Sequence, residues 1–109
     1  MDSTGAKMTL IGQDVLSRAG RRNLPLRQHL TTWAATVENA LWHSLNDVRR
    51  TYPAADCVKL KSKFVVTIFN VKGNDYRLLT SIDYDIASVE ALEVLTHAEY
   101  DKGSWKDRY

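Results

Sequence analysis

Two runs rich in β-branched and aromatic residues, FVVTIFNV (64–71) and YRLLTSIDY (76–84), meet across the four residues KGND. No other stretch restricts the fold of this chain as narrowly. The residue types suit a pleated strand, and Gly73 and Asn74 tolerate the positive φ of a tight turn. The segment therefore predicts an antiparallel hairpin. A third run, SVEALEVL, sets Val89, Ala91 and Leu95 against Glu90 and Glu93, but the alternation is imperfect. The turn-like DYDIA before it, at hairpin distance, favours a further strand over a helix.

Upstream the period changes. Leu26, Leu30, Trp33, Val37, Leu41 and Leu45 recur at spacings of four, four, three, four and four, which predicts one long helix with an apolar stripe. Pro25 suits its first turn, after turn residues in RRNLP. Before it, MTLI reads as a short strand beginning at Met8, and Gln13 to Ala19 as a short helix ended by Gly20. Residues 1–7 are small and polar and are expected to form a disordered extension. After the stripe, SLNDVRRTYP offers an N-cap at Ser44 or Asn46, a short helix through Arg50 and a stop at Pro53. The stretch VKLKSKFVVTIFNV then reads as one strand, on which Lys59, Lys61 and Lys63 alternate and share a face. In THAEYDK, Thr96 and Glu99 have the spacing of a capping box that starts a helical turn. The fold expected is α+β: N-terminal helices on one face of a three- to four-stranded antiparallel sheet, with a short C-terminal helical turn.

Composition bounds the function. The chain has 109 residues, about one domain's worth, with 44% hydrophobic and 26% charged residues. It contains no apolar run of about 18 residues that would span a bilayer, and MDSTGAKMTLIG lacks a secretory block, so a soluble, cytoplasmic protein is expected. One cysteine, Cys57, and three scattered histidines show no metal-ligand spacing. Neither metal nor cofactor is expected. The net charge of +2 is unevenly distributed: residues 1–63 hold ten Lys/Arg against five Asp/Glu, and residues 64–109 five against eight. The basic groups Arg18/Arg21/Arg22/Arg27, Arg49/Arg50 and Lys59/Lys61/Lys63 would attract a polyanion such as nucleic acid, unless they are simply solvated helix faces.

Three segments, ENALWHSLNDVRRTYPAADCV, FNVKGNDYRLLTSIDY and THAEYDKGSWK, resemble in order and spacing the HigB family of bacterial toxins. The resemblance runs from about Met8 to Lys106 and implies a single toxin domain over 8–109 with a RelE/ParE-like fold. It implies endonuclease activity on messenger RNA, usually on the translating ribosome, and neutralisation by a HigA-like helix-turn-helix antitoxin. Many relatives of this pattern carry an arginine just before the FN strand; Lys63 here keeps the charge but loses the fork.

Metal-free RNA cleavage requires deprotonation of a 2′-hydroxyl, stabilisation of the phosphorane charge and protonation of the departing 5′-oxygen. His97 is the acid–base candidate. Arg77 is the candidate phosphate clamp, with a salt bridge to Asp75, Asp83 or Glu90 as the alternative. Tyr100, three residues after His97, shares its side of a helical turn and offers a ring for a base or a hydroxyl for phosphate. Lys59, Lys61, Lys63 and Lys102 are candidate RNA binders; the first three serve equally well as guards of an edge strand. Asp101 is placed either to bond His97 or to cap the chain. Trp33, Trp42 and Trp105 read as core and lid residues, and His29 and His43 as surface or packing residues. Two further function classes stay open: a ParE-like toxin that binds a protein such as a gyrase, and a non-catalytic RNA-binding regulator.

Overall fold

A computed structural model describes residues 6–21 and 23–109; the rest of the expected N-terminal extension, and Arg22 of the first basic group, lie outside the described residues. The elements run β1 (Thr9–Ile11), α1 (Gln13–Gly20), α2 (Leu24–Asn39), α3 (Leu45–Thr51), β2 (Asp56–Lys59), β3 (Val65–Val71), β4 (Tyr76–Asp83), β5 (Ser88–Thr96) and α4 (His97–Lys102), followed by a 3-10 turn at Ser104–Arg108. The class is α+β, as expected, but the sheet has five strands in the order β1-β5-β4-β3-β2. It is mixed, because β1 pairs parallel to β5, with Leu10 opposite Val89.

Helix α2 starts where its local chemistry directs. The Asn23 side chain accepts a hydrogen bond from the Leu26 amide at 3.0 Å, and Pro25 occupies the first turn. Leu26, Leu30, Trp33 and Val37 are buried as the stripe predicts. The stripe then stops, because Ala40 turns to an extended conformation and its carbonyl accepts from the Met8 amide. Leu41 is consequently 47% exposed, and Trp42 enters the core in its place. Helix α1 follows a tight corner at Gly12, whose φ is 86° and where a Cβ would meet the Ala91 carbonyl at 2.6 Å. Only glycine fits both conditions.

The single strand expected over 58–71 is a second hairpin. The Leu60 amide donates to the Phe64 carbonyl and the Lys63 amide to the Leu60 carbonyl, and Lys63 takes φ 72°. Leu60 is buried, which draws the chain inward where lysine alternation alone suggests a continuous edge. Positive φ at the KGND turn falls on Lys72 and Gly73, one residue earlier than expected. The imperfect alternation of β5 also has a cause. Leu79 pairs with Glu93 and Thr80 with Ala91, so Leu92 bulges out and the faces exchange beyond it.

Both faces of the sheet are covered, rather than one. Helices α1, α2 and α3 enclose a cluster that includes Leu30, Trp33, Val37, Val48, Phe69, Leu78 and Val89. The C-terminal segment closes the other face, where Trp105 packs with Leu60, Val66, Ile68, Leu79 and Leu95. This second layer carries the candidate site.

Candidate active site

The end of β5 and the turn between β3 and β4 lie side by side. Tyr76 pairs with Thr96, and the His97 amide donates to the Asp75 carbonyl at 2.9 Å, so the ladder extends into the first residue of α4. The capping box at that point is complete. Thr96 accepts from the Glu99 amide at 3.1 Å, and the Glu99 carboxylate accepts from the Thr96 amide at 2.9 Å. These two side chains line a cavity shared with Val15, Ala19 and Leu26 on the helical side of the sheet, whereas Tyr100 packs on the opposite face.

The hydrogen bond from the Thr96 backbone holds the Glu99 carboxyl below its usual range, with the charges of Lys102 and Arg108 assisting. A lowered folded-state pKa stabilises the fold above the ordinary carboxylate pKa, and that contribution is lost as pH falls through the folded-state value. Glu99→Gln is therefore expected to melt below wild type at pH 7, with the gap narrowing at about pH 3, below the ordinary carboxylate pKa and on the way to the lowered folded-state value. Thermal melts at the two pH values check this. Thr96→Ala should cost about 1 kcal/mol, the usual worth of an N-cap. A gap that stays as wide at the lower pH would show that Glu99 acts through packing.

Arg77 makes no ion pair with Asp75, Asp83 or Glu90 within 4 Å. It caps its own turn instead. Nη1 donates to the carbonyls of Asn74 and Tyr76, both at 3.1 Å, and Nη2 to the Asn74 side-chain oxygen at 3.0 Å. These bonds leave the Nε–H and one Nη2–H without a partner among the described residues, and two adjacent donors on one edge of a planar group are the geometry a phosphate takes. The guanidinium stands 5.9 Å from the Tyr100 ring centroid. Asn74, which holds Arg77, reads from the sequence only as a turn former; its place three residues before an arginine is the signal that was available.

Tyr100 is stacked on Trp105 at 5.3 Å with an interplanar angle of 16°, and the Trp105 indole N–H donates to the Tyr100 carbonyl at 3.1 Å. One ring face is thus taken by the lid residue, which favours a role through the hydroxyl. Burial raises the Tyr100 pKa; the negative charge of Asp56 adds to the shift, Arg77 opposes it and Asp101 adds further. At neutral pH the hydroxyl is a proton donor. Asp56 belongs to this site because it pairs with Ile68, whose side chain shares a face with Asn70 and Arg77. Nothing in the sequence around Asp56 pointed to it, since its approach depends on strand register. His97 is half-exposed, with Nε2 3.3 Å from the Asp101 carboxylate, one of the two placements expected for that aspartate.

The lysines do not form the row that period-two spacing predicts. Lys59 pairs with Val65 and therefore points to the face opposite Arg77; Lys61 and Lys63 belong to the exposed β2–β3 turn. Lys102 is exposed in the last turn of α4. His29 and His43 lie outside this group, and Trp33 and Trp42 are core. The largest of the described cavities, about 650 Å³, lies between α2 and α3 and includes none of the candidate residues. Among the described residues no cluster of His, Cys, Asp or Glu could hold a metal ion, and no helix is long and apolar enough to cross a membrane.

The family model described as HigB_toxin, the RelE-like toxic component of a toxin-antitoxin system, matches residues 26–103. The chain belongs to the HigB toxin family. The match extends from the first turn of α2 through α4, and so takes in Arg77, His97 and Tyr100. Among curated relatives of this HigB-family chain is the mRNA interferase toxin HigB of Escherichia coli (strain K12), 28% identical over 94 residues, which cover 86% of this chain and 88% of the relative. Proteins named mRNA interferase HigB in Escherichia coli O157:H7 and Shigella flexneri match with the same identity and coverage.

Proposed function

We propose that this HigB-family chain is the toxin of a type II toxin-antitoxin pair and a metal-independent endoribonuclease that cleaves messenger RNA, with a RelE/ParE-like fold. The observation that carries the reading is the guanidinium of Arg77, pinned by Asn74 with its Nε edge free, over the ring of Tyr100, which stands one helical turn after His97. The names of the curated relatives support the same activity.

In the reaction, Arg77 clamps the scissile phosphate through Nε and Nη2 and stabilises the charge that grows on the phosphorane. His97 takes the proton from the 2′-hydroxyl as that oxygen attacks phosphorus. Asp101, close to Nε2, orients the ring and stabilises the imidazolium. Tyr100, kept protonated by its surroundings, gives its proton to the 5′-oxygen as the bond from phosphorus to that oxygen breaks. Lys61, Lys63 and Lys102 supply positive potential for the RNA backbone, and Lys59 contributes only from the far face. We further infer that cleavage takes place on the translating ribosome in the cytoplasm and that a HigA-like helix-turn-helix protein neutralises the chain.

Induced expression in a bacterium followed by mapping of transcript 5′ ends tests the reading. Growth arrest with new 5′ ends inside coding sequences is expected. Arrest without new ends would sink the nuclease and favour a ParE-like protein target; the absence of both would favour a non-catalytic regulator.

A further inference from the structure

Large apolar side chains are exposed at the start of β3: Phe64 is 37% accessible and Val65 42%, although the inner face of that strand is fully buried. The Phe64 ring lies parallel to Tyr109, with centroids 5.8 Å apart and an interplanar angle of 18°. Tyr109 is fixed from two sides. Its hydroxyl donates to Glu93 at 2.6 Å, and its main-chain oxygen accepts from the Ser62 hydroxyl at 2.8 Å. The pair is therefore a rigid, preformed surface, which avoids the ordering cost of binding. With Ser62 and Lys63 it lines an open cavity of about 550 Å³. Lys61 and Lys63 are exposed, and neither has a carboxylate within 4 Å among the described residues.

This surface lies on the same side of the sheet as the candidate active site but at the other end of β3, since Arg77 pairs with Asn70, six residues or about 20 Å of strand beyond Phe64. Tyr100 and Tyr109 both pack against the cluster of Leu60, Val66, Ile68, Leu79, Leu95 and Trp105. Arg77 stands at the Tyr100 ring, Tyr100 stacks on Trp105, and Lys106 lies 5.9 Å from the Trp105 ring centroid. The exposed Phe64 ring, backed by Tyr109 and next to the cations of the β2–β3 turn, matches a strand whose bases are free to stack and whose phosphates are charged. A duplex hides its base faces, and an acidic peptide would leave the parallel ring pair without a specific role.

We propose that Phe64, backed by Tyr109 and flanked by Lys61 and Lys63, is a stacking platform for an unpaired nucleobase of the RNA strand whose scissile phosphate lies at Arg77. The inference rests on the nuclease reading and adds a second substrate contact to it. The platform holds the strand beyond the cleavage site, and base stacking there tolerates any sequence because every base has a π-face.

Fluorescence anisotropy with a labelled 2′-O-methyl single-stranded RNA, which cannot be cleaved, tests it across a salt series. Phe64→Ala should weaken binding roughly tenfold, within the usual range for losing one base–aromatic stack, and Phe64→Trp should restore it. The double variant Lys61→Gln/Lys63→Gln should lower the slope of log K against log salt by about 1.4, for two released phosphate contacts on a single strand. Binding of the matching duplex should not respond to Phe64→Ala. The proposal is overturned if Phe64→Ala binds as wild type does, if the lysine variant leaves the salt slope unchanged, or if an acidic peptide of equal charge shows the same dependence on Phe64. Cleavage by wild type together with unchanged binding by Phe64→Ala removes the platform and leaves the nuclease standing. A wild type that produces no new 5′ ends removes the reading on which the platform rests.

Discussion

Arg77→Ala is expected to slow RNA cleavage by on the order of 10²–10³-fold, the usual loss when one preorganised donor to a developing oxyanion is removed. The guanidinium cannot turn away from the site, because Asn74 and Tyr76 hold it through three hydrogen bonds. Its remaining donors are thus aimed before substrate arrives. Arg77→Lys keeps the charge and loses the fork, so it should recover only part of the rate. His97→Ala should cost about 10²–10⁴-fold as an acid–base loss, and the double variant should fall well short of the product of the two because both act on one transition state. Single-turnover cleavage of a reporter message in a translating extract measures each value. Arg77 also caps the β3–β4 turn, so a melting curve must accompany the rate. A variant that keeps its melting temperature but cleaves within about threefold of wild type would exclude Arg77 from the chemistry.

Phe69→Ala should have the largest effect on stability. Phe69 is fully buried and contacts three other rings: Trp33 and Tyr52 edge-on at 5.3 Å each, and Trp42 stacked at 6.0 Å. Truncating a buried phenylalanine costs about 3–5 kcal/mol. A domain of this size has about 5–15 kcal/mol in total. At roughly 4 °C per kcal/mol, the melting temperature should fall by about 12–20 °C. The rings that Phe69 joins come from α2, the α2–α3 connection and the end of α3, so the loss would loosen the helical layer as a whole. A urea midpoint close to wild type would mean that the three remaining rings collapse into the space, contrary to the tight packing seen. In cells such a variant should lose toxicity through low abundance while its purified folded fraction cleaves normally.

Much of the fold was legible because its causes are local. The stripe from Leu26 to Val37 and the Asn23 cap act within a few residues, as do the KGND turn and the Thr96–Glu99 box. The stripe misled at Leu41 because a long-range bond, from the Met8 amide to the Ala40 carbonyl, draws the chain out of the helix. The lysine row misled for a similar reason. Alternation in VKLKSK satisfies a strand locally, yet burial of Leu60 against Trp105 bends it into a turn. The parallel edge strand β1 was legible as a strand but not in its direction, since its partner lies nearly 80 residues away.

At the candidate site the division is the same. Residue types and spacing pointed to Arg77, His97 and Tyr100, because the chemistry of a phosphate ester narrows the choice of side chains, and the family resemblance narrowed it to these positions. Helical period placed Tyr100 and Asp101 on the side of His97. Chain order could not show that Asp56 acts on Tyr100 from β2, or that Lys59 points to the far face. Those facts depend on register, and a shift of one residue would send each side chain to the opposite face. Register is decided by which apolar residues can be buried together across the whole sheet. The composition of the site was therefore written locally, and its geometry was decided only when both layers closed on the strands.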